Sequence, residues 1–491
     1  MTDTQAGQLL DDARWRGQVF SDGWHEAHGG AAPVREPATG DALGEIGLAD
    51  AEDVARAGRS AASAQREWAA TPFQERAAVL RRAGELIEQN AEQIQWWIVR
   101  EAGSIPPKAQ LETHVAAQEC FEAAALPSRP YGLLLPSEQP RTSMARRRPA
   151  GVVGVIAPFN VPLILSIRSV APALALGNAV VLKPDPRTAV CGGVVLARVF
   201  EEAGLPAGVL HVLPGGAEAG AALVADPNVR VISFTGSTAA GRKVGEAAGK
   251  YLKRVHLELG GNSAMVVLDD ADLELAVGAA AFGSFLHQGQ ICMTTGRHLV
   301  HESLLGDYVD ALAAKAEALP VGDPARDQVA LGPIIDAAQR DKIHELVTSS
   351  VDGGAKLAAG GTYEELFYRP TVLQAEPDVP AWTQEIFGPV APVSGFSTLD
   401  DAARLAADTE YGLSLGIITR DPLAALQLAD RIPTGIVHIN DQTVSDEAHI
   451  PFGGVGASGT GSRFGGADAN VEAFTETQWV TMRSDVPVYP F

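Results

Sequence analysis

Cys292 lies in the run FLHQGQICMTTGR, where an apolar, helix-like stretch gives way to a polar turn containing glycine. A thiol in such a turn can be presented as a nucleophile, and a cysteine in apolar surroundings can equally be a small buried hydrophobe. Cys120 and Cys191 sit on helical stretches and read as packing residues. Glu258, in HLELGG, is an acid inside an apolar strand just ahead of two glycines. Burial raises a carboxyl pKa and suits it to act as a base near neutrality, while a salt-bridged strand-end glutamate is the alternative. Gly236-Ser-Thr-Ala-Ala-Gly241 follows the strand VRVISF and opens a helix, so its N–H groups would face an anion such as a diphosphate, or simply turn the chain. It is no Walker loop, because Arg242 and Lys243 take the Lys and Ser/Thr places. Lys183 ends the run NAVVL, at the strand end where open α/β sheets take ligands, or as an ordinary solvated lysine.

Other patterns fail on context. Gly454-Val-Gly456-Ala-Ser-Gly459 matches a dinucleotide fingerprint, but it follows Pro451-Phe452 instead of a strand and leads into no helix. The gaps among His287, Cys292, His298 and His301 fit no usual zinc spacing, and His344-Glu345 lacks a second histidine four residues on, so no metal is expected. Arg146-Arg147-Arg148 is a basic island on an acidic chain and reads as interface or sheet-edge material.

The elements that must position these residues follow from periodicity. Between Ala51 and Arg100 apolar residues recur at helical spacing, as in ERAAVLRRAGELIEQNAEQI, giving two or more amphipathic helices. Prolines between Leu126 and Ala150 forbid a long helix there and leave an arm, hairpin or linker. Beyond it, short runs such as GVVGVIAP, NAVVLKP, VLHVLPG and VRVISFTG alternate with helical stretches, the pattern of parallel βαβ units in a doubly wound sheet. A similar alternation resumes after Gly260: MVVLD, a helix through Leu273–Leu286, RHLVH, a helix through Leu304–Leu319, and strands around Ala391–Phe396 and Gly435–Asn440. That predicts a second α/β domain.

At 491 residues the chain has room for several domains. Its 60 acids against 38 bases leave a net charge of −22, which disfavours nucleic-acid and anionic-membrane partners. The longest apolar stretches, 149–165 and 169–182, are broken by Pro158, Asn160, Pro162, Pro172, Gly177 and Asn178 and make poor membrane spans. The opening MTDTQAGQLLDDARWRG shows neither a secretory signal nor a basic transit peptide, and three scattered cysteines suit a reducing compartment. A cytoplasmic location is expected.

Together, APFN at 157–160, KP at 183–184, FTGST at 234–238, ELGG at 258–261, GQIC at 289–292, EIFGPV at 385–390 and PFGG at 451–454 resemble the aldehyde dehydrogenase superfamily, in its order and across most of the chain. LELGGN and FLHQGQICMTTGRHLVHE further resemble its benzaldehyde and vanillin dehydrogenase branch. The resemblance implies two doubly wound α/β domains plus a small β oligomerisation arm. Residues 1–127 and 150–260 would bind a dinucleotide, 261–455 would hold the catalytic domain, and 128–149 with 471–487 would assemble a homodimer or homotetramer.

By the same resemblance Cys292 is the nucleophile, Asn160 with the Cys292 N–H holds the oxyanion, and Glu258 activates the water that releases a free acid. Lys183 and Glu385 would contact the two riboses of NAD, Gly236 and Ser237 its diphosphate, and Phe387 its nicotinamide. Many NAD-preferring relatives carry Glu three residues after the lysine of KP; Pro186 stands there, which opens the site to NADP as well. Phe159 replaces the Trp common before the oxyanion Asn, and with Phe282, Phe285 and Val444 it would line a tunnel for an aromatic aldehyde. Rival readings are an aliphatic or semialdehyde dehydrogenase, a thiol esterase or acyltransferase using Cys292 without a nucleotide, and a non-catalytic protein reusing the fold.

Overall fold

In the computed structural model the described residues are 9–491, and the first eight residues of the opening segment read as lacking a leader lie outside them. Strand Val152–Ile156 is buried along its whole length, and its side chains alternate between two cores. Val153 and Val155 pack with Val180, Leu182, Val170 and Leu174, whereas Val152 and Ile156 pack with Ala179, Val181 and Leu223. An apolar run without polar alternation therefore belongs in a sheet covered by helices on both faces. This sheet has seven strands in the order Arg254–Glu258, Val229–Thr235, Val152–Ile156, Ala179–Lys183, Leu210–Val212, Gln18–Phe20, Trp24–Glu26. The first five are parallel, and the last two form an antiparallel edge. The amphipathic region resolves into helices Ala51–Ala70, Phe73–Gln89 and Ala91–Glu101, the first closed by a capping box between Asp50 and Asp53.

From Glu258 the chain crosses through Gly260-Gly261 into Ser263–Val267, a strand of a second seven-stranded sheet. Its order is Lys356–Ala359, Thr371–Gln374, Val390–Phe396, Thr295–His301, Ser263–Val267, Ser414–Ile418, Ile436–Ile439, with only the Lys356 edge antiparallel. Met265 and Val267 face a core with Val300 and Tyr308, and Ala264 and Val266 face another with Leu299 and Leu415. The expected helices fall at Leu273–Phe285 and Leu305–Ala318.

The Pro-interrupted segment forms a hairpin, Gly132–Leu135 with Thr142–Pro149, extended antiparallel by Thr475–Met482. The arginine island is not on a sheet edge: Arg146–Arg148 lie in the central strand, because the C-terminal tail pairs with it residue for residue from Thr475↔Pro149 to Met482↔Thr142. Arg147 pairs with Glu472. Of the tail from 471, Val471–Phe474 complete a helix whose Ala473 and Phe474 enter the first sheet's core. Among the described residues no helix is long and apolar enough to cross a membrane.

Candidate active site

Lys183 and Gly236 leave the carboxyl ends of neighbouring parallel strands on either side of Val152–Ile156, where the strand order reverses. Ligands of open α/β sheets bind at such a switch point. A cavity of about 670 Å³ opens there, lined by Lys183, Gly236, Ser237, Asn160, Phe159, Cys292, Glu385 and Phe387. Glu258 immediately precedes two further lining residues, Leu259 and Gly260.

The thiol loop is held by backbone geometry. His287, Gln288 and Gly289 all have left-handed φ, between 50° and 65°, which reverses the chain after the 273–285 helix. A Cβ on Gly289 would lie 2.1 Å from the Gly388 carbonyl oxygen, and one on Gly261 would lie 2.3 Å from that of Cys292. Both glycines are therefore required for the close approach of the two segments to their neighbours. Gln288 Nε2 donates to the Gly103 and Pro333 carbonyls, Gln290 Oε1 accepts from Ile335 N–H, and Thr443 Oγ1 donates to the Met293 carbonyl at 2.6 Å. Asn160 Nδ2 donates to the Gln290 carbonyl at 2.7 Å, which ties the amide to the thiol loop and leaves its second proton free of that bond. The Asn160 carbonyl accepts from Lys108 Nζ at 3.0 Å; Lys108 pairs with Glu112, and Glu112 Oε1 accepts from Leu163 N–H.

Cys292 keeps part of its surface open. Burial, then Glu385 and Glu258, push its thiol up to about 12. Glu258 is buried with neither carboxylate oxygen partnered by a protein donor, and burial drives its pKa well above the ordinary value against the pull of Arg463 and Arg168. Glu385 accepts from Gly261 N–H at 2.9 Å, and burial raises its pKa as well. Phe387 has φ 55° and meets Phe159 edge to face at 5.9 Å; Arg187 lies over the Phe159 ring at 4.2 Å and pairs with Asp185 and Asp336.

The other lining residues suit a dinucleotide. Ala217, Ala221 and Val224 of one helix, with Ala240, Val244 and Ala247 of another, give apolar walls for a flat base. The second helix, Thr238–Lys250, points its N-terminus, capped by Ser237, at the same space and favours an anion. Lys183 spends two of its three N–H donors on the Pro184 and Gly215 carbonyls and keeps one, and burial lowers its pKa.

Two expected pocket residues lie elsewhere. Phe282 is 49% exposed, on the same outward face as Leu275, and Phe285 is packed in the second sheet's core with Met265 and Tyr308. The helix turns both rings away from the cavity. Leu286, one residue later, packs with Val444, Ile291, Met293 and Phe452 in the cluster that includes Cys292. His298 bonds Ser284 and Tyr308 instead of converging with other ligands.

Sequence reading missed Arg168. It projects from helix Pro162–Ala175 one turn after the cavity-lining Leu165, bonds Glu119 at 3.1 Å, pairs with Asp446 and lies over the Phe452 ring at 4.8 Å. A lone arginine inside LSIRSVAPALAL was the available signal.

A sequence profile described as "Aldehyde dehydrogenase family" matches residues 24–480. A vanillin dehydrogenase of Amycolatopsis sp. is 74% identical over 98% of this chain and 100% of its own length. A benzaldehyde dehydrogenase [NAD(+)] of Pseudomonas putida is 52% identical over 97% of this chain and 98% of its own. Among solved structures, a salicylaldehyde dehydrogenase from Pseudomonas putida G7, complexed with salicylaldehyde, superposes with a TM-score of 0.93 at 34% identity, covering 96% of this chain and 99% of that one.

Proposed function

The chain belongs to the aldehyde dehydrogenase family, and from that premise we propose that it oxidises aromatic aldehydes of the benzaldehyde, hydroxybenzaldehyde or vanillin kind to their acids, with NAD as hydride acceptor. The observation that carries this reading is the single cavity in which Cys292, Asn160 and Phe159 meet Lys183, Ser237 and Glu385. The names of the similar vanillin and benzaldehyde dehydrogenases support the aromatic substrate.

In this reading the Cys292 thiolate adds to the aldehyde carbon, and the displaced electron pair on oxygen accepts hydrogen bonds from the free Asn160 amide proton and the Cys292 N–H. When bound, an oxidised dinucleotide would supply the hydride acceptor. The tetrahedral adduct collapses with loss of hydride to a thioester on Cys292. Glu258, a stronger base than an ordinary carboxylate because it is buried, takes a proton from water, whose oxygen attacks the thioester and frees the thiol. Lys183 and Glu385 would hold the riboses of the dinucleotide, Gly236 and Ser237 its diphosphate, and Phe387 its nicotinamide end.

NADP is accepted too. Position 186 carries no carboxylate, and the nearby Asp185 is held by Arg187, which removes the repulsion a free acid would exert on a 2′-phosphate. The two domains are those of residues 1–127 with 150–260 and 261–455. Exposed Leu133, Leu134 and Trp479 on the three-stranded sheet support its use between subunits of a homodimer or homotetramer, and three free cysteines support a cytoplasmic location.

The test is turnover of benzaldehyde, vanillin, hexanal and succinate semialdehyde with NAD, followed by the appearance of reduced cofactor. Faster turnover of the two aliphatic aldehydes removes the aromatic assignment.

A further inference from the structure

The glycine loop that fails as a dinucleotide fingerprint, Gly454 to Gly459, wraps the end of the strand that carries Glu258. Glu258 and Gly459 form an antiparallel bridge, Leu259 N–H donates to the Ser458 carbonyl, and Thr460 Oγ1 accepts from Leu257 N–H. The loop closes on itself through Phe452 and Phe464, whose N–H groups and carbonyls exchange bonds at 2.7 and 3.0 Å. That closure brings Arg463 back beside Gly453. A Cβ on Gly453 would lie 2.8 Å from Glu258 Oε1 and 2.9 Å from Arg463 Cδ, so the carboxylate and the arginine stem share the space a side chain would fill.

Arg463 is half-buried, and its Nη1 donates to the Gly454 and Ser462 carbonyls at 3.1 and 3.0 Å. Those are its hydrogen bonds to the described residues, and neither Glu258 oxygen has a protein donor. The other cation felt at Glu258, Arg168, is bound by Glu119 and Asp446, and Asp446 opposes it at Glu258; the Cys292 thiol, which feels Glu258 in turn, completes the ionisable groups around the acid. Arg463 thus brings Glu258 a positive charge that no carboxylate cancels. Among these charges it pulls hardest toward the ionised form, and the Gly454 N–H pulls the same way. An arginine in direct contact holds a carboxylate ionised so firmly that it becomes a poor base, whereas a carboxyl buried far from any cation stays protonated near neutrality. A guanidinium fixed by two carbonyls beside an intervening glycine avoids both extremes and leaves the carboxylate oxygens open to water.

We propose that Arg463 is a positioning residue for thioester hydrolysis, fixed by the Gly454 and Ser462 carbonyls so that its charge keeps Glu258 ionised but unpaired, ready to take a proton from water. This rests on Glu258 acting as the base in the proposed function. Arg463 does not line the cavity and acts through Glu258 alone.

The test is acyl release in a single turnover. An excess of NAD-loaded enzyme is mixed with benzaldehyde, or with hexanal if that is the faster substrate, and quenched with acid at intervals; mass spectrometry follows the acyl mass on Cys292 from about pH 6 to about pH 9.5. In the parent enzyme, release should rise with pH to a plateau as Glu258 ionises. Arg463→Gln removes a charge that favours the carboxylate, so Glu258 keeps its proton to higher pH and the rise should move up by about one pH unit or more. Release at pH 7 then falls about tenfold and recovers toward the parental plateau at high pH, while the first hydride transfer changes less than about twofold. Arg463→Lys, which keeps the charge, should restore most of the release rate at pH 7. Arg463→Met, which keeps the stem packed against Gly453, repeats the measurement should Gln disturb the loop, and NAD affinity reports whether each variant is folded. An unmoved pH profile overturns the proposal, and so does a loss of equal size at every pH, which a purely structural role would give. Failure to reduce NAD with any aldehyde removes the dehydrogenase reading itself, whereas a normal first turnover with an unmoved release profile removes only the role of Arg463.

Discussion

The two flanks of Cys292 are made differently. The dinucleotide flank is built from strand ends, a helix N-terminus and glycines, so its recognition groups are mostly main chain: Gly236 at the turn, the capped 238–250 helix, and Gly261 N–H on Glu385. The other flank, which the proposed function gives to the aldehyde, draws on side chains from separate segments: Leu165 of the cavity wall and Arg168 from one helix and, packed around Cys292 or paired with Arg168, Leu286 from the turn before the thiol and Val444, Asp446 and Phe452 from one loop. The first can hold one cofactor while substrates change; the second can be altered residue by residue. Cofactor binding and aldehyde chemistry should therefore be separable by mutation.

The largest separation is expected from Cys292→Ala. It should lower aldehyde turnover by about 10⁴-fold or more, as loss of a nucleophile does, while the NAD dissociation constant measured by fluorescence stays within about twofold of the parent. A parallel loss of NAD binding would mean that the two flanks are one unit. Asn160→Ala comes next, with kcat reduced about 10²- to 10³-fold, the usual effect of removing one oxyanion donor, and little change in the KM for NAD. If its KM for NAD rises while kcat holds, the amide serves the cofactor instead.

The converse dissociation comes from the other flank. Lys183→Ala should weaken NAD about 10- to 100-fold through loss of a charged donor, with alkylation of Cys292 by iodoacetamide in the NAD-free protein unaltered. The smallest effect is the pH dependence of that alkylation. With the thiol pushed up to about 12, its folded-state value lies above any working pH, so the reactive thiolate rises about tenfold per unit. The logarithm of the rate should climb from pH 6 to 9 with a slope of about one. A plateau near pH 8 would show that the site stabilises the thiolate before NAD arrives.

The same contrast explains what was legible in the sequence. βαβ alternation, the strand-end lysine and the Gly236 turn are local patterns, and the first sheet and its ligand edge follow from them. Its residues alone left the segment from 126 to 150 open as an arm, hairpin or linker, and only the family resemblance joined it to the tail, because the third strand of that sheet lies at Thr475–Met482, more than three hundred residues away. That pairing is what moved Arg146–Arg148 from an edge to the centre. Phe282 and Phe285 misled for a related reason: periodicity shows that a helix has faces, but not which face meets the cavity, and it is Leu286 at the helix end that packs in the cluster with Cys292. Arg168 and Asp446 are 278 residues apart and share no spacing rule; only folding sets a free donor beside a free acceptor.

The central claim is that an acyl group is carried on one sulfur. Glu258→Gln removes the base for its release, so mixing that variant with NAD and vanillin should give a burst of one reduced cofactor per subunit and then stall. Mass spectrometry of the stalled protein should find, on the peptide containing Cys292, the mass of the aldehyde less two hydrogens, as a thioester requires. Steady turnover without a burst, or an adduct on Cys120 or Cys191 with Cys292 unmodified, would contradict the account.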